Sequence, residues 1–297
     1  MRLTNHHGIP DVFLNYAERE KYDAGVCDFT PSSLCEPAMI THLSKVYKDK
    51  LTEDAADGIM ALLGTAMHSI LEKGANETDI IEYRMYAEFE GHTISGCVDR
   101  MFMPVGFGPW MIQDYKSTSA STVMHNPEGK PEWVAQQSVY AWLADKNEME
   151  VEGAEVVLMI RDWNKSQSKY QRSKGYPPAA IAVIPLELWS HEETEAYMRL
   201  RIAALTAKVP EPCTREERWQ GDPKYAVLKY VRGGSLSKRA SRVLDSSYDA
   251  EEYMLDNGIH GEVEVRPGKA NRCGDWCPVS GWCEQYQSEI KEEDDIL

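Results

Sequence analysis

Asp114, Tyr115 and Lys116 close the run WMIQDYK, whose composition and alternation predict a strand over 110–116. Side chains two apart in a strand point the same way, so Asp114 and Lys116 project together. A carboxylate there can hold a divalent cation. An ammonium beside it is a fixed positive donor. The triplet D-x-K is common, and an ordinary surface ion pair gives the same pattern. Asp99 stands in the preceding, mostly apolar strand TISGCVDRMFM, three residues after Gly96. A buried carboxylate needs a partner. Arg100 or another base at the strand end would serve, as would an ion shared with Asp114 across a hairpin.

His68 follows Gly64 by one turn in LLGTAMHSILE. In this helix Ile59, Leu62, Leu63, Ala66, Met67, Ile70 and Leu71 form an unbroken apolar stripe. His68 falls about 150° from the stripe's centre on a helical wheel, which excludes a core histidine but fits a plain surface one. Gly64 leaves room for close approach of another element on the same side. Gln136 and Tyr140 are spaced i, i+4 in EWVAQQSVYAWLADK and share a helix face, as many such pairs do.

Cys273, Cys277 and Cys283 form C-x₃-C-x₅-C among Trp276, Pro278 and Trp282. Seven cysteines without an export signal speak against a disulfide framework and for reduced thiols or metal ligands. A tetrahedral zinc or cubane site needs a fourth ligand, for which Cys35 and Cys213 are the candidates. Cys27 and Cys97 read as ordinary thiols.

The elements that must position these residues follow from periodicity. Residues 1–30 are polar and irregular. A short helix is expected over 39–47, followed by the strong helix over 59–71. Strands at 81–90, 93–103 and 110–116 form an antiparallel meander. A helix over 132–146 precedes strands at 154–161 and 179–186, which a polar loop separates. A long amphipathic helix spans 190–207. Beyond Val209 only short pieces are expected before the cysteines and the acidic tail KEEDDIL.

The chain has 297 residues and a formal charge of −16. That balance argues against a wholly basic nucleic-acid surface, but local cations gather at Arg161, Lys165, Lys169, Arg172 and Lys174. A second group comprises Lys224, Lys229, Arg232, Lys238, Arg239 and Arg242. Two solvated loops would look the same. No apolar run is long enough to span a membrane, and the start lacks a signal peptide's apolar core, so a cytoplasmic protein is expected. There is no phosphate-binding P-loop and hence no recognisable ATP motor.

In order, the pieces run G-x-x-x-H, G-x-x-D, D-Y-K and Q-x-x-x-Y. This succession resembles the RecB-like branch of the PD-(D/E)XK nucleases. That branch includes iron–sulfur CRISPR-associated exonucleases, the AddB nuclease domain and phage-type exonucleases. LTNHHGIPDVF, LLGTAMHSILE, ISGCVDR, QDYKSTS, EWVAQQSVYAWL, IRDWNKS, PCTREERW and the terminal cysteines carry the likeness over most of the chain. It implies an α/β, restriction-endonuclease-like fold with a mixed central sheet flanked by helices, plus a C-terminal cysteine-cluster segment. One nuclease domain over 1–297 is expected, with its core at about 31–207, the cluster segment at about 208–290 and the tail at 291–297.

By the same resemblance, His68, Asp99 and Asp114 would ligate Mg²⁺ or Mn²⁺ together with the Tyr115 carbonyl. Lys116 would orient or deprotonate the attacking water. Gln136 and Tyr140 would position the metal site or the strand, and Glu82 would support them. Cys213 matches the phage-type fourth ligand and Cys35 the CRISPR-associated one. With Cys273, Cys277 and Cys283 the favoured set is Cys213 around a [4Fe–4S] cluster, with zinc as the alternative. Here three residues separate Cys273 from Cys277, where the relatives have two.

The implied activity is exonucleolytic hydrolysis of linear DNA leaving 5′-phosphates, in phage or bacterial recombination or repair. The compartment would be the bacterial host cytoplasm if the chain is phage-encoded. DNA is the expected partner, with a single-strand annealing or recombination protein as a further one. A non-catalytic nucleic-acid-binding module and a zinc-stabilised adaptor are the competing readings. Digestion polarity, strand preference and oligomeric state are not legible.

Overall fold

The structure is a computed structural model that describes residues 2–19 and 24–296. The chain folds as two units, one of residues 1–38 and 48–210, the other of 39–47 and 211–297.

The first unit opens with β1 (Arg2–Thr4) and α1 (Asp11–Arg19), regular elements where an irregular stretch is expected from sequence. Short-range polarity hides both. β1 gains its ladder only from β2 (Thr52–Asp54), a parallel partner about fifty residues away. Next comes α2 (Pro31–Cys35), started by a reciprocal cap in which Thr30 and Ser33 satisfy each other's backbone N–H. The following helix, α3 (Ala38–Val46), groups mostly with the second unit.

After β2 comes α4 (Ile59–Leu71), the helix that carries Gly64 and His68. Its apolar stripe does not turn into a core. Only Met67 is buried, while Leu63 and Ile70 of the stripe are 48% and 66% exposed. The side that carries Gly64, Thr65, His68 and Ser69 faces the cleft described below.

The core is a five-stranded mixed sheet in the order β3-β4-β5-β6-β7. Its strands are β3 (Ile80–Phe89), β4 (His92–Phe102), β5 (Trp110–Thr118), β6 (Val151–Ile160) and β7 (Ile181–Leu186). The meander pairs antiparallel, as expected; β5 and β6 are parallel. Parallel neighbours need a crossover, supplied by α5 (Ala120–His125) and α6 (Pro131–Lys146). α6 is buried from Trp133 to Ala144 on most of its circumference, between the sheet and the helices α2 and α8 (His191–Thr206). Gly96 permits this packing. A Cβ there would lie 2.6 Å from Tyr140 Cε1 and 2.8 Å from Leu143 Cδ1. The loop expected between β6 and β7 contains α7 (Lys165–Tyr170), capped by Asn164.

The second unit holds a three-stranded antiparallel sheet. It comprises β8 (Lys224–Lys229), β9 (Arg242–Leu244) and β10 (Gly261–Arg266), with β8 central and α9 (Ser247–Asp256) packed on it. The cysteine segment follows with α10 (Asn271–Asp275) and α11 (Glu284–Ile296). Of the acidic tail, the backbone as far as Ile296 continues α11; its side chains and Leu297 lie outside the described residues. Among the described residues, no helix is long and apolar enough to cross a membrane.

Candidate active site

The site begins where the central sheet splits. The β4–β5 ladder ends at the pair Arg100–Gln113. Beyond it the backbone of Tyr115 finds side chains in place of a strand. Its N–H donates to Asp99 Oδ2 at 2.7 Å, and its carbonyl lies 3.2 Å from His68 Nε2. Asp99 thereby substitutes for a ladder partner, which answers the need of a carboxylate that is only 13% exposed.

His68 reaches in from α4. Its Nδ1 lies 3.4 Å from Asp99 Oδ1 and 3.7 Å from Glu82 Oε1. Hydrogen bonding to Asp99, then to Glu82, pushes the imidazole pKa up to about 10 against the opposing effect of burial. Glu82 sits in β3 at φ 45°, the left-handed region that a side chain rarely adopts. It occupies the one position skipped between the pairs Ile81–Arg100 and Tyr83–Val98, opposite Asp99. Ligand atoms of His68, Glu82 and Asp99 lie within 4.8 Å of one another and could hold a metal ion. Two carboxylates and an imidazole are a hard donor set suited to a divalent cation such as Mg²⁺ or Mn²⁺.

Asp114 is almost fully buried and faces Lys116, whose Nζ lies 2.8 Å from Oδ2 and 3.1 Å from Oδ1. Burial raises the Asp114 pKa and the nearby Asp99 charge adds to it, while Lys116 opposes both. For Lys116, burial disfavours the ammonium, but attraction and hydrogen bonding to Asp114 outweigh it and the net shift is upward. Lys116 Nζ also donates to Gln136 Oε1 at 3.2 Å, and Gln136 Nε2 donates to Ser32 Oγ at 3.3 Å. Tyr140, one turn further along α6, is buried against Gly96 and borders the same cleft.

His68, Glu82, Asp99, Asp114, Lys116, Gln136 and Tyr140 thus line one cleft of about 830 Å³. Glu82, expected from sequence only as a supporting carboxylate, lies within the donor cluster, and Asp114 lies in the same cleft, paired with Lys116. Gly64 departs from expectation. Among the described residues, nothing outside its own helical turn lies within 4 Å of a Cβ built there. Its missing side chain therefore enlarges the cleft and seats no neighbouring element. Sequence reasoning also missed Ser32, Arg84 and Cys97. Ser32 anchors Gln136, and Arg84 borders the cleft while donating to Ala24 O and Ser95 Oγ. Cys97 borders it too, 3.6 Å from Glu82 Oε2, and burial followed by the Glu82 charge pushes its thiol up to about 11. Its position two residues before Asp99 was the available signal.

In the second unit Cys213, Cys273, Cys277 and Cys283 border a common cavity. Burial, then Glu217, then the other three cysteines push the Cys213 thiol up to about 12. Four cysteines around one cavity would suit a soft cation or cluster, whose binding would displace the thiol protons. Cys35 lies in the first unit, 3.4 Å from Pro31 O and 3.6 Å from the Tyr197 hydroxyl.

A family model described as the PD-(D/E)XK nuclease superfamily matches residues 29–284. A solved structure titled "Crystal structure of SSO0001" is similar at 15% identity and a TM-score of 0.43, covering 67% of this chain and 84% of that one. No curated protein matches the chain.

Proposed function

The chain belongs to the PD-(D/E)XK nuclease superfamily, and we propose that within it the protein is a Mg²⁺- or Mn²⁺-dependent exonuclease that hydrolyses linear DNA from its ends. The observation that carries this reading is the convergence of His68, Glu82 and Asp99 beside the Asp114–Lys116 pair in one cleft. A non-catalytic binder has no need of that set.

His68, Asp99 and Glu82 would hold the cation, with Asp114 and the Tyr115 carbonyl completing its shell. A divalent ion bound there would polarise the scissile phosphate and stabilise the developing charge. Lys116, held as an ammonium by Asp114, serves as a fixed positive donor that orients the attacking water. Gln136 fixes the lysine from its other side, and Tyr140 walls the cleft. Water adds to phosphorus, the bond from phosphorus to the 3′-oxygen breaks, and that oxygen takes up the proton. The new end carries a 5′-phosphate.

Cys213, Cys273, Cys277 and Cys283 would hold a [4Fe–4S] cluster that ties α10 and the start of α11 to the segment around Cys213, without a redox step. The choice of iron–sulfur over zinc rests on the resemblance of the cysteine pattern. A phage or bacterial recombination setting, with a single-strand annealing protein as partner, rests on the same resemblance.

The test compares end-labelled linear DNA with closed circular DNA, each with Mg²⁺, with Mn²⁺ or with chelator. Exonuclease action gives metal-dependent loss of the linear form and survival of the circle. Equal cutting of both forms contradicts it, and unchanged DNA in every lane contradicts catalysis.

A further inference from the structure

We propose that the exposed face of α7 and the turn after it forms a binding track for a single DNA strand entering or leaving the cleft. Arg161, Lys165, Lys169, Arg172 and Lys174 would contact phosphates there, and Tyr170 would stack on a base. The inference rests on the reading that the cleft hydrolyses DNA, and adds to it the strand's path and form.

Three observations carry it. The first is charge. In a chain with a formal charge of −16, no Asp or Glu occurs from Trp163 to Leu186. All five cations are exposed, and none makes an ion pair among the described residues. Asp162, the one acid in the sequence from Arg161 to Leu186, accepts the Ala120 N–H at 2.7 Å and makes no ion pair with these cations among the described residues. Unpaired cations on an acidic protein leave a local field that attracts polyanions.

The second is rigidity with one exception. Trp163 Nε1 donates to Pro177 O at 3.0 Å, the Asn164 N–H donates to the Tyr176 hydroxyl at 2.9 Å, and Ser168 Oγ donates to Pro178 O at 3.2 Å. Tyr176 is 4% exposed and belongs to the small core around Ala120 and Ile160. Tyr170, six residues earlier, is 82% exposed. An aromatic ring held out among cations is the combination that binds single strands, where each nucleotide offers a phosphate and a free base face. A duplex offers a base face only at its ends.

The third is position. Arg161 N–H donates to Thr118 O at 2.9 Å. Thr118 follows Lys116 by two residues on β5, roughly 6–7 Å along the strand. Because β5 and β6 are parallel, the chain leaves both at the same edge of the sheet. The basic segment therefore starts at the end of the strand that carries Asp114 and Lys116.

The experiment uses the full chain and two variants. One combines Lys165→Gln, Lys169→Gln, Arg172→Gln and Lys174→Gln; the other is Tyr170→Ala. Binding of labelled single-stranded and duplex 30-mers is followed across salt concentrations in chelator, and turnover is measured with Mn²⁺. Each lost phosphate contact lowers the salt slope by about 0.7 for a single strand, so the fourfold variant should lose about 3 from the slope and at least about tenfold in affinity. Tyr170→Ala should weaken the single strand and spare the duplex. Both variants should hydrolyse the p-nitrophenyl ester of thymidine 5′-monophosphate, which occupies the cleft alone, at the wild-type rate. If the fourfold variant binds single strands with unchanged slope while the wild type degrades DNA, the track is wrong and the nuclease reading stands. If that variant loses binding while neither protein degrades DNA, the track stands and the nuclease reading is wrong. An unaltered single-strand affinity in Tyr170→Ala overturns the assignment to a single strand.

Discussion

Asp99 accepts the backbone N–H of Tyr115 at 2.7 Å, at the point where β4 and β5 stop pairing. One carboxylate thus closes the sheet's broken edge with Oδ2 and turns Oδ1 toward His68. The catalytic role proposed for Asp99 and its structural role should therefore separate by substitution. Asn retains an acceptor for Tyr115 but loses the charge. Asp99→Asn should cut metal-dependent hydrolysis by about 10²-fold or more with a small change in melting temperature. Asp99→Ala leaves the N–H unpaired and should destabilise by about 1–3 kcal/mol as well. Equal melting temperatures for Asn and Ala would contradict the structural role.

The imidazole of His68 is held protonated by Asp99 and Glu82, with a pKa raised from the ordinary 6.5 to about 10. A raised pKa means the folded state binds the proton more tightly than the unfolded one. Its stabilising contribution is complete below about pH 6.5 and disappears as pH rises through about 10. In chelator, wild-type stability should fall across this window relative to His68→Asn. Metal binding must displace the proton, so Mn²⁺ affinity should rise with pH and calorimetry should register proton release in buffers of differing ionisation enthalpy. Metal affinity independent of pH would remove His68 from the ligand set.

Two glycines should respond in opposite ways. At Gly96 an added methyl meets Tyr140 and Leu143 well inside contact distance, so Gly96→Ala should destabilise by about 1–3 kcal/mol, read from urea unfolding. At Gly64 no neighbour lies within 4 Å among the described residues, and a helical Ala is preferred over Gly by about 1 kcal/mol. Gly64→Ala should keep or raise stability, while a bulkier Gly64→Leu should slow DNA turnover by filling the cleft.

The four cysteines of the second unit predict a metal content that single substitutions remove. Purified without oxygen, the wild type should carry about four iron atoms per chain with broad visible absorption. Cys213→Ser and Cys277→Ser should lose it and destabilise the second unit, whereas Cys35→Ser should retain it. One zinc per chain and no colour would replace the cluster assignment, and metal loss in Cys35→Ser alone would replace the fourth ligand.

Much of the fold was legible because its signals are local. The meander's alternation, the long helices at 59–71, 132–146 and 190–207 and the order of strand and helix in 80–207 all lie within short windows of sequence. The candidate site was legible to the extent that Asp99, Asp114, Lys116 and His68, charged or imidazole groups that stood out in the sequence, meet in one cleft. The misses share a cause. β1 depends on a partner about fifty residues away, and the apolar stripe of α4 pointed to a buried face although in the fold the helix turns His68 to the cleft and leaves Leu63 and Ile70 exposed. The place of Glu82 in the cluster depends on a left-handed backbone at φ 45°, and Ser32 joins the site only because α2 meets Gln136. Distant pairing, backbone strain and helix docking leave no mark in a short window of sequence.

Catalysis by this cleft stands or falls with Lys116, whose Nζ lies 2.8 Å from buried Asp114 and beside the donor cluster. The decisive measurement is hydrolysis of end-labelled linear DNA by wild type and Lys116→Ala, prepared together and shown to be folded with Mn²⁺ present. Metal-dependent hydrolysis is expected of the wild type, with a loss of about 10²-fold or more in the variant and DNA binding retained. Equal hydrolysis by both proteins, or none by a wild type that binds Mn²⁺, would contradict it.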